Sequence, residues 1–345
     1  MTAFTPSRTL RLIAAVGSGY RRVFATSRVA PLLSRPNPVR HTGFDLDLAI
    51  ERVVREADDV VSLTLADPSG ADLPSWIPGA HLDLFLPSGR QRQYSLCGDP
   101  ADRRTYRIAV RRIGEGSREI HELEQGKVRV RGPRNAFPLV DADSYLFVAG
   151  GIGITPILPM VRSCRRRGAP WRLVYLGRSR ESMPFLDELG ALGDVDIRPD
   201  DEFGLPDIIT ILPLAEPGAA VYLCGPPALG EGARGLLREI NPAASLHTER
   251  FSPLPVTGGE PFDVRLARSG ATVRVGADES ALAAIRRELP GVAYSCQQGF
   301  CGTCKVRVLG GEVDHRDRTL TEGERDGSML VCVSRSTSPS LVIDL

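Results

Sequence analysis

The chain has 345 residues, of which 42% are hydrophobic and 25% are charged. Its length predicts two or three domains, and its composition is that of an ordinary soluble globular protein, which we expect in the cytoplasm. A formal net charge of +1 argues against bulk attraction to nucleic acid. No apolar run approaches the roughly 20 residues that a membrane helix needs.

Residues 1–42 form a basic N-terminal extension. Residues 1–40 contain seven arginines and neither aspartate nor glutamate. One interpretation is a mobile or surface-lying basic tail. The other is a short amphipathic helix that docks weakly on a partner or on an anionic membrane surface.

Residues 43–140 are predicted to form a closed antiparallel β-barrel. Alternating stretches such as 60–65 and 106–110 are separated by turns rich in glycine and proline. Short strands at this spacing are typical of barrels.

Two motifs in this barrel are suited to a ligand that carries a phosphate. Arg92, Tyr94 and Ser95 begin a strand; arginine can hold a phosphate bidentately, tyrosine offers a flat ring and serine a small donor. A solvated strand end would have the same composition. Residues 114–117 (Gly-Glu-Gly-Ser) precede a predicted helix over 118–123 and have Arg111 nearby, which makes a second turn that favours anions.

Residues 141–251 are predicted to form an α/β domain with a parallel sheet. An apolar strand over 145–149 leads through 150–156 (Gly-Gly-Ile-Gly-Ile-Thr-Pro) into a helix over 157–167, and a strand over 171–176 follows. The glycines allow close approach of a pyrophosphate at a helix N-terminus. The turn lacks the G-x-G-x-x-G pattern, so a plain dehydrogenase is disfavoured.

Cys224 ends a further strand, over 221–224, and a glycine turn and a helix follow it. A side chain at the carboxyl end of such a strand faces the crevice where ligands bind in open α/β sheets. The residue type by itself favours a small buried core position.

The C-terminal part begins with a linker over 252–261, which is rich in proline and glycine, and continues as a third domain over 262–345. Its cysteines are spaced C-x4-C-x2-C (Cys296, Cys301, Cys304), with Cys332 following 28 positions later. This is the plant-type spacing for a [2Fe–2S] cluster, whose two irons and two sulfides need four thiolates. Structural zinc is the alternative, but zinc sites usually contain two short-spaced pairs of ligands.

The order of these motifs resembles the phthalate dioxygenase reductase and vanillate demethylase reductase group of the ferredoxin–NADP reductase superfamily, over about residues 43–345. The resemblance implies a flavin-binding antiparallel barrel, an NAD(P)-binding parallel-sheet domain and an α+β, β-grasp-like ferredoxin domain. It implies FMN and not FAD. The 114–117 turn is one glycine shorter than the G-x-G-G-S turn frequent in the family.

The resemblance also implies roles for individual residues. Arg92, Tyr94 and Ser95 would bind the flavin, with Ser95 near its reactive N5. Cys224 would line the nicotinamide site, which makes Ser95 and Cys224 the candidate catalytic residues. Gly116 and Ser117 would hold the FMN phosphate. Gly151, Gly153 and Thr155 would contact the nucleotide. Phe251 would pack near the isoalloxazine ring.

The predicted activity is that of an NAD(P)H-dependent oxidoreductase. Electrons would pass from the nicotinamide through FMN and the cluster to a separate oxygenase component, for which we expect a Rieske-type aromatic-ring dioxygenase or O-demethylase. One alternative is a reductase that serves a haem monooxygenase. Another is a redox module that binds nucleotide without turnover.

The choice between NADH and NADPH depends on the end of the strand over 171–176, which should lie near the adenosine ribose. An acid there selects NADH, whereas arginine accommodates the 2′-phosphate of NADPH. The strand leads into Arg178, Ser179 and Arg180, so the charge favours NADPH, while the family resemblance favours NADH. We predict that Arg178 or Arg180 contacts the 2′-phosphate; the alternative is that both point into solvent.

Overall fold

The computed structural model describes residues 44–345, which form two compact units that divide between Phe251 and Ser252. The N-terminal extension predicted over 1–42 lies outside the described residues. Within the described part, none of the helices has the length and apolar character required to cross a membrane.

The first unit begins with a six-stranded antiparallel barrel. Its strands run in the order β4-β3-β6-β1-β2-β5, and the two edge strands meet where Leu96 bridges Ile108. Alternate side chains of each strand fill the interior, as with Leu82 and Leu84 of β3. The elements are β1 (Phe44–Ala57), β2 (Val60–Ala66), β3 (Ala80–Phe85), β4 (Gln91–Ser95), β5 (Thr105–Arg111), α1 (Glu115–His121) and β6 (Lys127–Asn135).

The same unit continues with a five-stranded parallel sheet in the order β11-β10-β7-β8-β9. The chain builds outward from β7 on one side through β8 and β9, then returns to build β10 and β11 on the other side. The strands are β7 (Tyr145–Gly150), β8 (Trp171–Gly177), β9 (Val195–Pro199), β10 (Ala220–Cys224) and β11 (Ser245–Glu249). The helices are α2 (Ile154–Arg167), α3 (Leu186–Gly190), α4 (Asp200–Phe203), α5 (Ile208–Ile211) and α6 (Pro227–Ile240), with 3₁₀ turns at Gly151–Gly153, Arg180–Ser182 and Leu212–Leu214.

Helix α2 begins at Ile154, three residues before the start predicted from the sequence. Pro156 therefore lies in its first turn. Proline is tolerated there because the first N–H groups of a helix have no partner within the helix. The helix ends at Arg167, and the following Gly168 adopts the left-handed conformation (φ 66°) that is common after a helix.

The barrel and the parallel sheet share a hydrophobic core. Ala109 and Phe137 from the barrel side pack in one cluster with Phe147, Ile157 and Tyr222 of the sheet and its helix α2. A partly buried network borders this core: the guanidinium of Arg107 on β5 donates to both carboxylate oxygens of Glu188 on α3, at 2.7 and 3.0 Å, and Arg162 of α2 pairs with the same carboxylate. Barrel and sheet therefore form one unit.

The second unit is a mixed sheet with a helix packed on it. The central strands β12 and β18 are parallel, the other pairs are antiparallel, and the order is β13-β12-β18-β14-β16. This is a β-grasp arrangement. Its elements are β12 (Phe262–Leu266), β13 (Thr272–Val275), α7 (Ala281–Glu288), β14 (Lys305–Gly310), β15 (Val313–Asp314), α8 (Glu322–Arg325), β16 (Ser328–Leu330), β17 (Arg335–Ser336) and β18 (Ser340–Ile343).

A buried arginine fastens the start of this unit. Arg335 is only 1% exposed, and its guanidinium donates to the carbonyl oxygens of Glu260 and Gly276, each at 2.9 Å, and to that of Glu279. Arg316 donates to the Thr257 carbonyl at 2.8 Å. Residues 257–260 of the segment predicted as a linker are thus held against this sheet.

Candidate functional site

The four cysteines of the cluster motif come together in the second unit. Cys296, Cys301 and Cys304 lie in the loop between α7 and β14, and Cys332 lies just after β16. The thiols are in contact as two pairs, Cys296 with Cys301 and Cys304 with Cys332. Sharing of a proton within the first pair raises the pKa of Cys296 and lowers that of Cys301.

This arrangement fits a [2Fe–2S] cluster. Each iron of such a cluster takes two thiolates, and the four cysteines provide two pairs. No three His, Cys, Asp or Glu side chains in residues 44–345 converge on one point where a single ion would sit, as a tetrahedral zinc site requires. The residues present therefore match the cluster better than zinc.

Backbone N–H groups of the loop point at the cysteine sulfur atoms. The N–H of Gln298 lies 3.3 Å from Cys296 Sγ, Phe300 donates to the same sulfur, and Gly299 donates to Cys332. Such donors stabilise negative charge on a cluster and thereby set its reduction potential.

Asp317 holds a second loop over the cysteine loop, and sequence reasoning did not identify it. Its carboxylate is buried and accepts hydrogen bonds from the N–H groups of Leu320 (2.9 Å) and Thr319 (3.3 Å). The adjacent N–H of Arg318 donates to the Gly299 carbonyl at 3.1 Å. In the sequence, Asp317 is one acid in a polar loop, so its position gave no signal.

The predicted flavin residues lie on β4 of the first unit. Ser95 is buried, and burial raises the pKa of the half-buried Tyr94 to about 12, so its hydroxyl remains protonated. Arg92 is exposed, and its side chain lies directly on Gly116: a β-carbon at position 116 would be 2.8 Å from Arg92 Nε. The strand and the 114–117 turn, separate in sequence, are therefore in contact through Arg92.

The 114–117 turn differs in detail from its predicted form. The helix begins at Glu115 and not at 118, so Gly116 and Ser117 lie in the first turn of α1. The Ser117 hydroxyl donates to the Gly114 carbonyl at 2.8 Å and accepts from the N–H groups of Ile113 and Gly114 at 2.8 and 2.9 Å. In this conformation its hydroxyl shapes the turn.

The two glycine turns of the α/β domain meet at the carboxyl ends of adjacent strands β7 and β10. A β-carbon at Gly153 would overlap the carbonyl oxygen of Cys224, and one at Gly150 would lie 2.6 Å from Cδ of Pro226. The buried Thr155 hydroxyl donates to the Ile152 carbonyl at 3.0 Å and ties the first turn together. Because the strand order reverses between β7 and β10, this is the switch point where open α/β sheets bind ligands.

Arg111 connects the barrel to this nucleotide turn. A β-carbon at Gly151 would lie 3.2 Å from Arg111 Nη1, and Nη2 donates to the Ser182 carbonyl at 2.7 Å. Burial lowers the pKa of Arg111, and the nearby Arg178 adds to the shift. Positive charge is thus concentrated beside the turn.

Arg178 and Arg180 have different environments. Arg178 is exposed at the end of β8. Arg180 forms a two-pronged ion pair with Glu202, with Nε to Oε1 at 2.7 Å and Nη2 to Oε2 at 3.0 Å. The two arginines that the sequence treats alike are therefore not equivalent.

Cys224 has an acidic neighbour that the sequence reasoning missed. Cys224 is 1% exposed, and burial raises its thiol pKa well above the usual value. It pairs in register with Glu249 of β11, whose Oε2 is enclosed and finds no hydrogen-bond partner within the described residues. Burial raises the pKa of Glu249 to about 8. The sequence signal for Glu249 was its position at the end of a strand, two residues before Phe251, a residue that is 50% exposed.

Comparisons with known proteins agree with this geometry. A family model described as a 2Fe-2S iron-sulfur cluster binding domain matches residues 264–337. The phthalate dioxygenase reductase of Burkholderia cepacia is 40% identical over 314 residues, which cover 87% of this chain and 97% of the relative.

Two solved structures are similar over most of the chain. A phthalate dioxygenase reductase, described as a modular structure for electron transfer from pyridine nucleotides to [2Fe–2S], aligns with a TM-score of 0.65 and 39% identity and covers 87% of this chain and 98% of that one. An intact type IV self-sufficient cytochrome P450 monooxygenase aligns with a TM-score of 0.67 and 40% identity, covering 91% of this chain and 43% of that one.

The fold and the cysteine loop define an oxidoreductase with a C-terminal [2Fe–2S] domain. At the identity and coverage found, the chain belongs to the phthalate dioxygenase reductase family. The resemblance inferred from the motif order is confirmed, and so is the predicted fold: an antiparallel sheet domain, a parallel sheet domain and a ferredoxin domain.

Proposed function

We propose that this protein takes electrons from a nicotinamide nucleotide and passes them, through a bound flavin and its own [2Fe–2S] cluster, to a separate oxygenase component. The observation that carries the proposal is the contact between the barrel and the nucleotide turn. Arg111 of the barrel lies on Gly151, so the elements expected to bind flavin and nucleotide adjoin within one unit. The same chain carries the four paired thiols, and its relative is a dioxygenase reductase.

A bound flavin would supply the conversion of a two-electron donor into single electrons, which an iron–sulfur cluster requires. The chain's own residues would bind and orient. Arg92 and the turn at Gly116 and Ser117 would hold a phosphate, the Tyr94 ring would support the isoalloxazine, and the Ser95 hydroxyl would face its reactive N5. Phe251 offers a second aromatic face.

The nucleotide would lie across the switch point. Gly151, Gly153 and Thr155 form the turn that receives its pyrophosphate, with Arg111 supplying positive charge. Cys224 lines the nicotinamide position with a neutral thiol, and Glu249 lies beside it. Ser95 and Cys224 are thus the proposed catalytic residues, since each would touch a reacting ring.

We propose FMN as the flavin. One arginine, Arg92, packs on one turn, at Gly116, which suits a single terminal phosphate. FAD is the alternative. Release of the flavin by heat and measurement of its mass distinguishes the two, and FAD at full occupancy would overturn the assignment.

The proposed electron transfer is tested by mixing the oxidised protein anaerobically with excess NADH or NADPH. We expect rapid bleaching of flavin absorbance, followed by reduction of the cluster. In a Cys301→Ser variant the cluster should be lost or crippled and one-electron transfer to an oxygenase abolished. Flavin bleaching should persist, because reduction of the flavin precedes electron transfer to the cluster. Absence of bleaching in the wild type would refute the function, and it would favour a nucleotide-binding module without turnover.

The proposed acceptor is a Rieske-type aromatic-ring dioxygenase or O-demethylase. The phthalate dioxygenase reductase relative supports it. A haem monooxygenase is a second candidate, supported by the likeness to part of a self-sufficient cytochrome P450. Reduction rates of a purified Rieske oxygenase and of a purified P450 by the same preparation separate the two.

Two further proposals concern location and nucleotide. The protein is expected in the cytoplasm, where a reducing environment keeps its seven cysteines free of disulfides.

Arg178 or Arg180 would contact the 2′-phosphate when NADPH binds. Loss of NADPH efficiency, with NADH efficiency retained, in an Arg178→Ala, Arg180→Ala double variant would support that contact; an unchanged ratio would oppose it.

A further inference from the structure

The carboxyl ends of β8 and β9 lie side by side in the parallel sheet. Gly177 pairs with Pro199, and α4 follows directly over Asp200–Phe203. The N–H of Asp201 donates to the Arg178 carbonyl at 3.2 Å. The start of α4 is therefore fixed against the segment that should receive the adenosine ribose.

Glu202 on α4 neutralises one of the two arginines at this place. Its carboxylate meets the Arg180 guanidinium through two parallel bonds, at 2.7 and 3.0 Å. Two-pronged pairs of this kind fix the orientation of both groups. The hydrogen bond from Arg180 holds the pKa of Glu202 below its usual value, so the carboxylate is charged at neutral pH.

A carboxylate in this orientation can still accept further hydrogen bonds. Its two oxygens have about four acceptor positions, and Arg180 uses two of them. In dinucleotide-binding folds an acid near this strand end accepts from the ribose 2′-hydroxyl and selects NADH. The segment after β8 has Ser179 between its two arginines and no acid before Glu181.

We infer that Glu202, brought in from the neighbouring strand, is the residue that selects NADH: its carboxylate accepts from the ribose 2′-hydroxyl, opposes a 2′-phosphate, and keeps Arg180 engaged. The inference rests on the proposed function, since it concerns the same nucleotide site. Arg178 alone then offers a free cation to NADPH, so the wild type prefers NADH although two arginines follow β8.

The test is the ratio of kcat/KM for NADPH to that for NADH, measured with a dye acceptor. In Glu202→Gln we expect this ratio to rise by about tenfold or more, because a like charge close to a phosphate is removed and Arg180 is released. Adding Arg180→Ala should reverse most of the gain in NADPH efficiency, because the released guanidinium provides it. The affinity for NADP⁺ relative to NAD⁺, measured as the ratio of their dissociation constants, should rise in Glu202→Gln and fall again when Arg180→Ala is added.

Asp201→Asn is the matched control. It removes one negative charge from the same helix without touching the pair to Arg180, and we expect it to change the ratio by less than about twofold, as is usual for an exposed charge. A ratio within twofold of wild type in both Glu202→Gln and Glu202→Ala would overturn the inference, and so would a wild-type preference for NADPH. Failure of the proposed function has a different signature: neither nucleotide would reduce the flavin in any variant.

Discussion

Arg111 shows how one side chain can serve two parts of the molecule. It belongs to β5 of the barrel, yet its guanidinium lies on Gly151 of the nucleotide turn and donates to the Ser182 carbonyl. A fixed positive charge there favours the pyrophosphate of a nucleotide without any movement on binding. The nucleotide site is therefore built partly from the barrel.

Glu249 is the residue whose ionisation should be visible in stability. Burial raises its pKa from 4.5 to about 8, so the folded protein retains a proton that the unfolded chain loses. A raised carboxyl pKa means that the contribution of Glu249 to stability is fully present below pH 4.5 and is lost as the pH rises towards 8. Glu249→Gln removes this dependence. Relative to the variant, the wild type should lose up to a few (~3–5) kcal/mol of unfolding free energy between pH 4.5 and pH 8.5.

Urea unfolding followed by tryptophan fluorescence measures the stability of the unit that contains Glu249. The only two tryptophans, Trp76 and Trp171, both belong to the first unit, so the signal reports the unit that contains Glu249. Glu239→Gln, at an exposed position on α6, controls for the loss of one negative charge. If the difference in unfolding free energy between the wild type and Glu249→Gln is the same at pH 4.5 and pH 8.5, the pKa of Glu249 is not raised.

At the scale of elements, the contact between the two glycine turns is the most constrained feature. A β-carbon at Gly153 would overlap a backbone oxygen, that of Cys224, and backbone atoms cannot move aside as a side chain can. Alanine at this position must push the β7 and β10 turns apart and displace Cys224 with them.

We therefore expect Gly153→Ala to raise KM for the nicotinamide nucleotide by roughly tenfold or more, since small displacements of positioning groups have effects of that size. Flavin content should be unchanged. Gly235→Ala is the control, because the glycine lies within α6 with open space around it and alanine is the better helix former. An unchanged KM in Gly153→Ala would show that the turns do not receive the nucleotide.

The sequence allowed prediction of what depends on neighbouring residues. The cysteine spacing, the glycine turn after β7 and the alternation of the barrel strands are local patterns, and the elements they predicted are present. Helices α1 and α2 begin three residues earlier than predicted, at Glu115 and Ile154, because residues 115–117 and Pro156 can occupy a first helical turn. Glu202 could not be predicted, because its partner Arg180 follows the neighbouring strand β8. Glu249 had a signal in its position at a strand end, but its place beside Cys224 depends on the pairing of β10 with β11.

At the scale of the whole molecule, each cofactor motif of the chain lies within residues 44–345. We propose that the basic segment 1–42 docks weakly on a partner or an anionic membrane surface. Deletion of residues 1–40 should leave NADH-to-dye activity and flavin content unchanged, because the segment carries no cofactor motif.

Sedimentation with phosphatidylserine-containing vesicles tests the docking directly. The full chain should bind at low salt and the truncated chain should not, because the deletion removes seven arginines. Equal binding of both forms would remove the case for membrane docking. Loss of flavin on truncation would instead show that the segment supports the barrel.

The pairing of the cluster thiols also determines how the protein is oxidised in air after the cluster is lost. A thiol next to another thiol is readily converted to a disulfide once its iron is gone, because the first oxidation product condenses with the neighbour. The pairs Cys296 with Cys301 and Cys304 with Cys332 are poised for this reaction. Rebuilding the cluster after oxidative loss must therefore begin with a reductant, before iron and sulfide are of any use.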